Sequence, residues 1–122
     1  MENLPLGAHL VSPRLAYEHH GLYAGGGRVI HYAGFKGWLH IAPVEEVSLQ
    51  EFAGGHAVRV ALSPAARFAG EQAVARARSR LGENRYRLLS NNCEHFVEWC
   101  LHGASRSSQV DAFLGNLLCM PV

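Results

Sequence analysis

Apolar and polar positions along the chain follow two different periods, and the change falls near Ser63. Before it, apolar residues come in short runs punctuated by glycine and proline, the pattern of strands joined by tight turns. Leu10 and Val11, within Gly7–Tyr17, predict a short strand that ends at Ser12-Pro13. The segment HHGLYAGGGRVIH, His19 to His31, predicts a hairpin whose two apolar runs meet at Gly25-Gly26-Gly27. Tyr32–Gly37 is glycine-rich and carries Lys36, and Trp38–Val44 reads as loop or edge strand stopped by Pro43. Val44–Leu49 and His56–Leu62 read as two more strands, joined by Gln50–Gly55 with its Gly54-Gly55 turn signal.

From Ser63 the spacing becomes helical. Ser63-Pro64 supplies a cap and a first-turn proline, Ala66, Ala69, Ala73, Val74, Ala77 and Leu81 form a narrow stripe, and Gly82 ends it. Asn84–Leu89 reads as a short extended link to a second helix beginning at Cys93. Val110, Phe113, Leu114, Leu117 and Leu118 predict an amphipathic C-terminal helix, about 108–119, after the Ser-rich link Ser105–Ser108. Strand patterns followed by helix patterns predict an α+β fold, a small antiparallel sheet packed against helices.

Candidate chemistry concentrates in Leu88–Leu101, LLSNNCEHFVEWCL. Ser90, Asn91 and Asn92 are helix-capping residues, and Asn91 with Glu94 fits a capping box. Cys93, Phe96, Val97, Cys100 and Leu101 share one helical face, so Cys93 is a first-turn, inward-facing thiol. Unpaired N–H dipoles at a helix start favour thiolate, which predicts a reactive thiol of low pKa. Free cysteine is otherwise a small buried hydrophobe, and Cys100 and Cys119, on apolar faces, read that way. His95 points away from Cys93 and reads as a capping or packing residue; Glu94 reads as a cap and dipole partner.

A thiol nucleophile needs a base, and among eight histidines those of the hairpin stand out. Pairing parity decides which one shares a face with His31. A three-residue loop, Gly25–Gly27, sets Gly21 opposite His31 and His19 diagonally beside it; a two-residue loop, Gly25-Gly26, sets His20 opposite instead. Pattern alone leaves both open.

The strand motifs HHGLYAG and VIHYAG, followed by NNCEHFVEWC, resemble the lecithin:retinol acyltransferase-like family of permuted papain-like (NlpC-type) thiol enzymes, over roughly Gly7 to Leu101. The resemblance implies a catalytic Cys at the N-terminus of a helix. It also implies a Cys–His–His set: Cys93 as nucleophile, His19 as general base, His31 as the orienting third member. Tyr17, two residues before His19, matches a position where the family often has tyrosine and is a candidate oxyanion stabiliser. The implied activity is acyl transfer or hydrolysis through a Cys thioester, with (phospho)lipid acyl esters as donors and no cofactor.

Size and charge narrow the alternatives. At 122 residues and 48% hydrophobic content the chain holds one domain, with a core of about 7–104. A net charge of +1 gives no global field for nucleic acid. Arg67, Arg76, Arg78, Arg80, Arg85 and Arg87 cluster locally and read as a solvated helix face. Three cysteines form no metal clip, and a reducing, cytoplasmic setting suits a free Cys93. MENLPLGAHLV carries no export signal, and no run of about 18 apolar residues could serve as a transmembrane anchor, so any membrane contact is expected to be peripheral. The rival expectations are a cysteine peptidase or amidase acting on peptide-like amides, a non-catalytic interaction module of the same fold, and a zinc site built from Cys93, His19 and His31.

Overall fold

A computed structural model describes residues 3–14, 17–35, 41–85 and 92–103. The expected link at Asn84–Leu89 lies partly outside these residues. The C-terminal helix, Cys119, Lys36, Arg87, Ser90 and Asn91 lie outside them entirely.

Among the described residues five strands form one antiparallel sheet: β1 (His9–Pro13), β2 (Glu18–Gly25), β3 (Arg28–Phe35), β4 (Ile41–Ser48) and β5 (Arg59–Ala61), in the order β4-β3-β2-β1-β5. Among the described residues three helices accompany it: α1 (Leu49–Ala53), α2 (Glu71–Arg78) and α3 (Cys93–His102). Because successive strand side chains alternate, each face of the sheet has its own core. Leu22, Ile30, Tyr32 and Val44 pack on Ala73, Val74 and Ala77 of α2 and on Phe96, Val97, Cys100 and Leu101 of α3. On the other face Leu10, Tyr23, Val29 and Val47 enclose Phe52 of α1. β2 is central, so its odd and even positions feed different layers.

The hairpin keeps the parity of the three-residue reading, not that of the Gly25-Gly26 loop. Leu22 pairs with Ile30 and Tyr23 with Val29, the parity of a three-residue loop. A bulge between Tyr23 and Gly25 then pairs Gly25 with Arg28, leaving only Gly26 and Gly27 at the tip. Positive φ at Gly25, Gly26 and Gly27 (86°, 60° and 74°) is what the bulge and tip require.

Four boundaries differ from expectation. Pro43 lies inside β4 and does not stop it; the pairing with β3 continues on both sides, at Tyr32–Val44 and Gly34–Ala42. Gln50–Gly55 is no simple turn but holds all of α1 beyond its first residue, Leu49; the helix is capped by Ser48, whose hydroxyl accepts from the Glu51 amide at 3.0 Å, and closed by Gly54 at φ 58°. The last strand shortens from His56–Leu62 to Arg59–Ala61. The first long helix begins at Glu71, not Ser63, because the chain before it docks on the end of α3: the Phe68 amide donates to the Leu101 carbonyl at 2.8 Å, and Gly70 turns the backbone at φ 55°. The arginines are more than a solvated face. The Arg76 guanidinium lies 4.1 Å from the Phe68 ring centre and 3.9 Å from that of Trp99, and it donates to the Trp99 carbonyl at 2.9 Å, so it clamps α2 to α3.

Candidate active site

Helix α3 starts at the thiol because Asn92 caps it. The Asn92 side chain accepts from the amides of Glu94 and His95, both at 3.0 Å, and the His95 ring nitrogen Nδ1 accepts from the Asn92 amide at 3.2 Å. The capping box therefore runs Asn92–His95, one residue beyond the expected Asn91–Glu94 pair, with imidazole in the place of Glu or Gln. His95 is thus occupied in holding the helix start. Cys93 faces inward with 3% exposure.

The thiol is lodged against β2. Its Sγ lies 3.9 Å from the Glu18 carbonyl, and the main chain of His20 also hydrogen-bonds it, so its polar contacts fall on either side of His19. Burial pushes the Cys93 thiol up to about 11, against the weaker opposing pull of main-chain hydrogen bonds from His20 and Glu94. The low pKa expected from the helix terminus is overturned: desolvation of a nearly enclosed sulfur outweighs the amide dipoles.

His19 and His31 meet on the Phe52 face. His19 Nε2 and His31 Nδ1 are 2.7 Å apart, with the rings nearly perpendicular at 80°. The Phe52 ring stacks on His19 at 5.2 Å and meets His31 edge-on at 5.7 Å, fixing both imidazoles from below. His31 Nε2 lies 3.2 Å from Glu45 Oε1, across the β3–β4 register that pairs these residues. Burial first, then the neighbouring His31 and Arg14, pull His19 down to about 3, so its ring is neutral at physiological pH. Tyr17 is half exposed and presents its ring edge to His19 at 6.5 Å.

Hydrogen positions follow from this chain of contacts. An ionised carboxylate only accepts, so His31 carries its proton on Nε2 and accepts at Nδ1. His19 then donates from Nε2, and its Nδ1 keeps a lone pair able to take a proton. The structure thus brings His19 and His31 together and sets Cys93 against the backbone around His19. The polar contacts of the thiol are to that backbone, not to the His19 ring: Cys93 packs in the α3 core layer with Leu22 and Phe96, whereas the His19 ring lies on the Phe52 face of β2.

Sequence reasoning missed three participants. Glu45 reads as an ordinary strand glutamate; its one signal is a place on a strand beside the histidine hairpin. Phe52 fell in a segment read as turn. The third is a second imidazole pair on the opposite face of β2: His9 Nε2 and His20 Nδ1 lie 2.7 Å apart, both rings buried. His20 is thereby engaged with His9, while its main chain adjoins the thiol. Burial, then His20, lower His9 to about 4, and burial lowers His20 as well. Among the described residues no three such side chains converge to hold a metal ion, and no helix is long and apolar enough to cross a membrane.

A buried cysteine at a capped helix start, beside a strand that carries a paired histidine, is an arrangement suited to thiol chemistry. Comparison with known proteins gives the family: residues 2–106 match the lecithin retinol acyltransferase family, and the chain belongs to it. It is 34% identical over 114 residues to human phospholipase A and acyltransferase 4, covering 80% of this chain and 70% of that protein. Human phospholipase A and acyltransferase 2 is 32% identical over 121 residues, 86% of this chain and 75% of that one. Bovine lecithin retinol acyltransferase is 30% identical over 133 aligned positions, 86% of this chain and 57% of its own length.

Proposed function

We propose that the chain is a thiol acyltransferase or hydrolase on a permuted papain-like (NlpC-type) frame, working through a thioester on Cys93 with phospholipid acyl esters as donors. The observation that carries this reading is the thiol at the capped start of α3, lodged against β2 on either side of His19, whose ring is held by His31. The names of the relatives supply the substrate class.

Both partners rest neutral, with the thiol near 11 and the imidazole near 3. Proton transfer therefore accompanies attack instead of preceding it. The Cys93 proton passes to His19 Nδ1 as sulfur bonds to the ester carbonyl carbon, and His31 holds the charged His19 ring through Nε2. Cys93 packs in the core layer of α3 and the His19 ring on Phe52 across β2, so this transfer requires a shift on substrate binding that brings ring and thiol together. The Cys93 main-chain amide and Tyr17 are the candidate donors to the developing oxyanion. Collapse breaks the ester C–O bond, the alcohol leaves with the proton from His19, and a thioester remains. Water or an amine or alcohol then attacks the thioester with His19 again as base, regenerating the thiol.

Intact-mass spectrometry after exposure to a short-chain phosphatidylcholine tests the reading. A mass gain of one acyl group, mapped to Cys93 and absent in Cys93→Ser, is expected. An adduct from a peptide-like amide donor but from no lipid ester would transfer the reading to an amidase. No adduct from any donor would leave an interaction module.

A further inference from the structure

Two adjacent glutamates on β4 have different fates. Glu46 turns to surface arginines, meeting Arg78 Nε at 3.1 Å and Arg28 Nε at 3.7 Å. Glu45, paired across the ladder with His31, sends Oε1 to within 3.2 Å of His31 Nε2. Its side chain is 29% exposed and that of His31 only 9%, so the carboxylate sits where a chain of buried imidazoles reaches the edge of the protein. A His–His pair by itself has no fixed direction: either ring can donate across the 2.7 Å contact, and the two arrangements expose different nitrogens. An acceptor-only group at one end removes that ambiguity.

We propose that Glu45 is the positioning residue of this site: by accepting from His31 Nε2–H it sets the tautomers of both histidines and leaves Nδ1 of His19 as its unprotonated nitrogen, the one free to take a proton. This rests on the acyl-transfer reading for its catalytic meaning, but not for its geometry. Glu45 touches neither the thiol nor, in the mechanism above, the substrate. It acts through His31, and it keeps His19 in one protonation pattern before each attack. When His19 takes the thiol proton, the same carboxylate faces a positively charged pair and stabilises it.

The test reads tautomers directly, by long-range proton–nitrogen NMR of 15N-histidine-labelled protein, alongside turnover of a p-nitrophenyl acyl ester. In the wild type His19 and His31 are both expected as Nε2–H tautomers. In Glu45→Gln the carboxamide can present either a donor or an acceptor, so His31 and His19 should become tautomer mixtures. kcat should fall about tenfold or more with KM little changed, since loss of an orienting carboxylate can cost up to about 10⁴. Glu46→Gln serves as the control and should alter neither reading. A wild-type His31 protonated at Nδ1, or Glu45→Gln tautomers identical to wild type, would overturn the proposal. If Glu45→Gln fails to fold, the wild-type spectrum alone decides. If the wild type forms no acyl-enzyme, the functional reading fails while the spectra still answer for Glu45.

Discussion

Gly21→Ala is the most demanding substitution this site offers, because one methyl group would test the packing beneath both imidazoles of the His19–His31 pair. An added Cβ at Gly21 would stand 2.6 Å from one ring carbon of Phe52, 3.1 Å from another, and 2.7 Å from Val29 Cγ1. Carbon–carbon contact is comfortable at about 3.5–4.0 Å, so each neighbour would have to retreat by close to an ångström. Neither has room. Phe52 is 1% exposed and Val29 fully buried, and the Phe52 ring is also packed against His19 and His31. Gly21 has ordinary strand dihedrals, so alanine would otherwise gain about 0.4–1 kcal/mol by stiffening the unfolded chain. Overpacking costs about 1–3 kcal/mol and wins, leaving a net loss of about 1–2 kcal/mol. At about 4 °C per kcal/mol for a domain of this size, Tm should fall by about 4–8 °C in a calorimetric scan. Phe52→Leu in the same background should recover part of the loss, since the two positions share one contact and should couple by about 1 kcal/mol. A Gly21→Ala protein that melts at or above the wild-type temperature would refute the packing argument and with it the account of how the imidazoles are held.

The depressed histidines make the fold acid-sensitive: the unfolded chain takes up protons near the ordinary 6.5, the folded one only near 4 at His9 and near 3 at His19, so stability is full above about 6.5 and is lost as pH falls toward 3–4. Thermal melts from pH 7.5 to 4 should descend through that window, and His9→Asn should flatten the descent. Cys93 has the opposite sign, so its contribution is present below the unfolded thiol value and disappears as pH rises through about 11. Iodoacetamide labelling of Cys93 in the resting protein should accordingly be slow at neutral pH and climb toward pH 11, with Cys100, pushed up to about 12 by burial, lagging behind; fast labelling near pH 6 would mean a preformed thiolate. Asn92→Ala should cost about 0.5–2 kcal/mol in urea denaturation through loss of the cap, while Asn92→Asp should retain most of it.

What the sequence disclosed follows from what is local. Helix capping depends on neighbours in the chain, so the polar run before Cys93 announced a helix start there, although which asparagine would cap depended on one residue of phase. Period-two alternation and the glycine run announced the hairpin, but the bulge at Gly25 lets it carry the parity of one loop length and the tip of another. The Phe52 helix stayed hidden because five residues are too few to display a 3.6-residue period. Glu45 stayed hidden because its partner is chosen by strand register, which nothing along β4 encodes. The expected thiolate failed for a related reason: a helix terminus can be read from sequence, whereas the degree to which the sheet encloses Sγ cannot. Helix α2 was placed early because Ser63-Pro64 is a sound local start signal, overridden by the docking of Phe68 on α3.

The glycine hairpin acts as a ruler for the chemistry. Its length decides which of two neighbouring histidines lies beside His31 and which is handed to the opposite layer, where His9 waits. Removing a single glycine codon would not merely shorten a turn. Either the strands keep their pairing and the tip strains, or the ladder slips by one and the two layers exchange imidazoles, breaking the Leu22–Ile30 pair as well. In any lineage that retains the His19–His31 pair, insertions and deletions at this tip should be confined to those that restore the same odd count, even where the identity of the turn residues drifts freely.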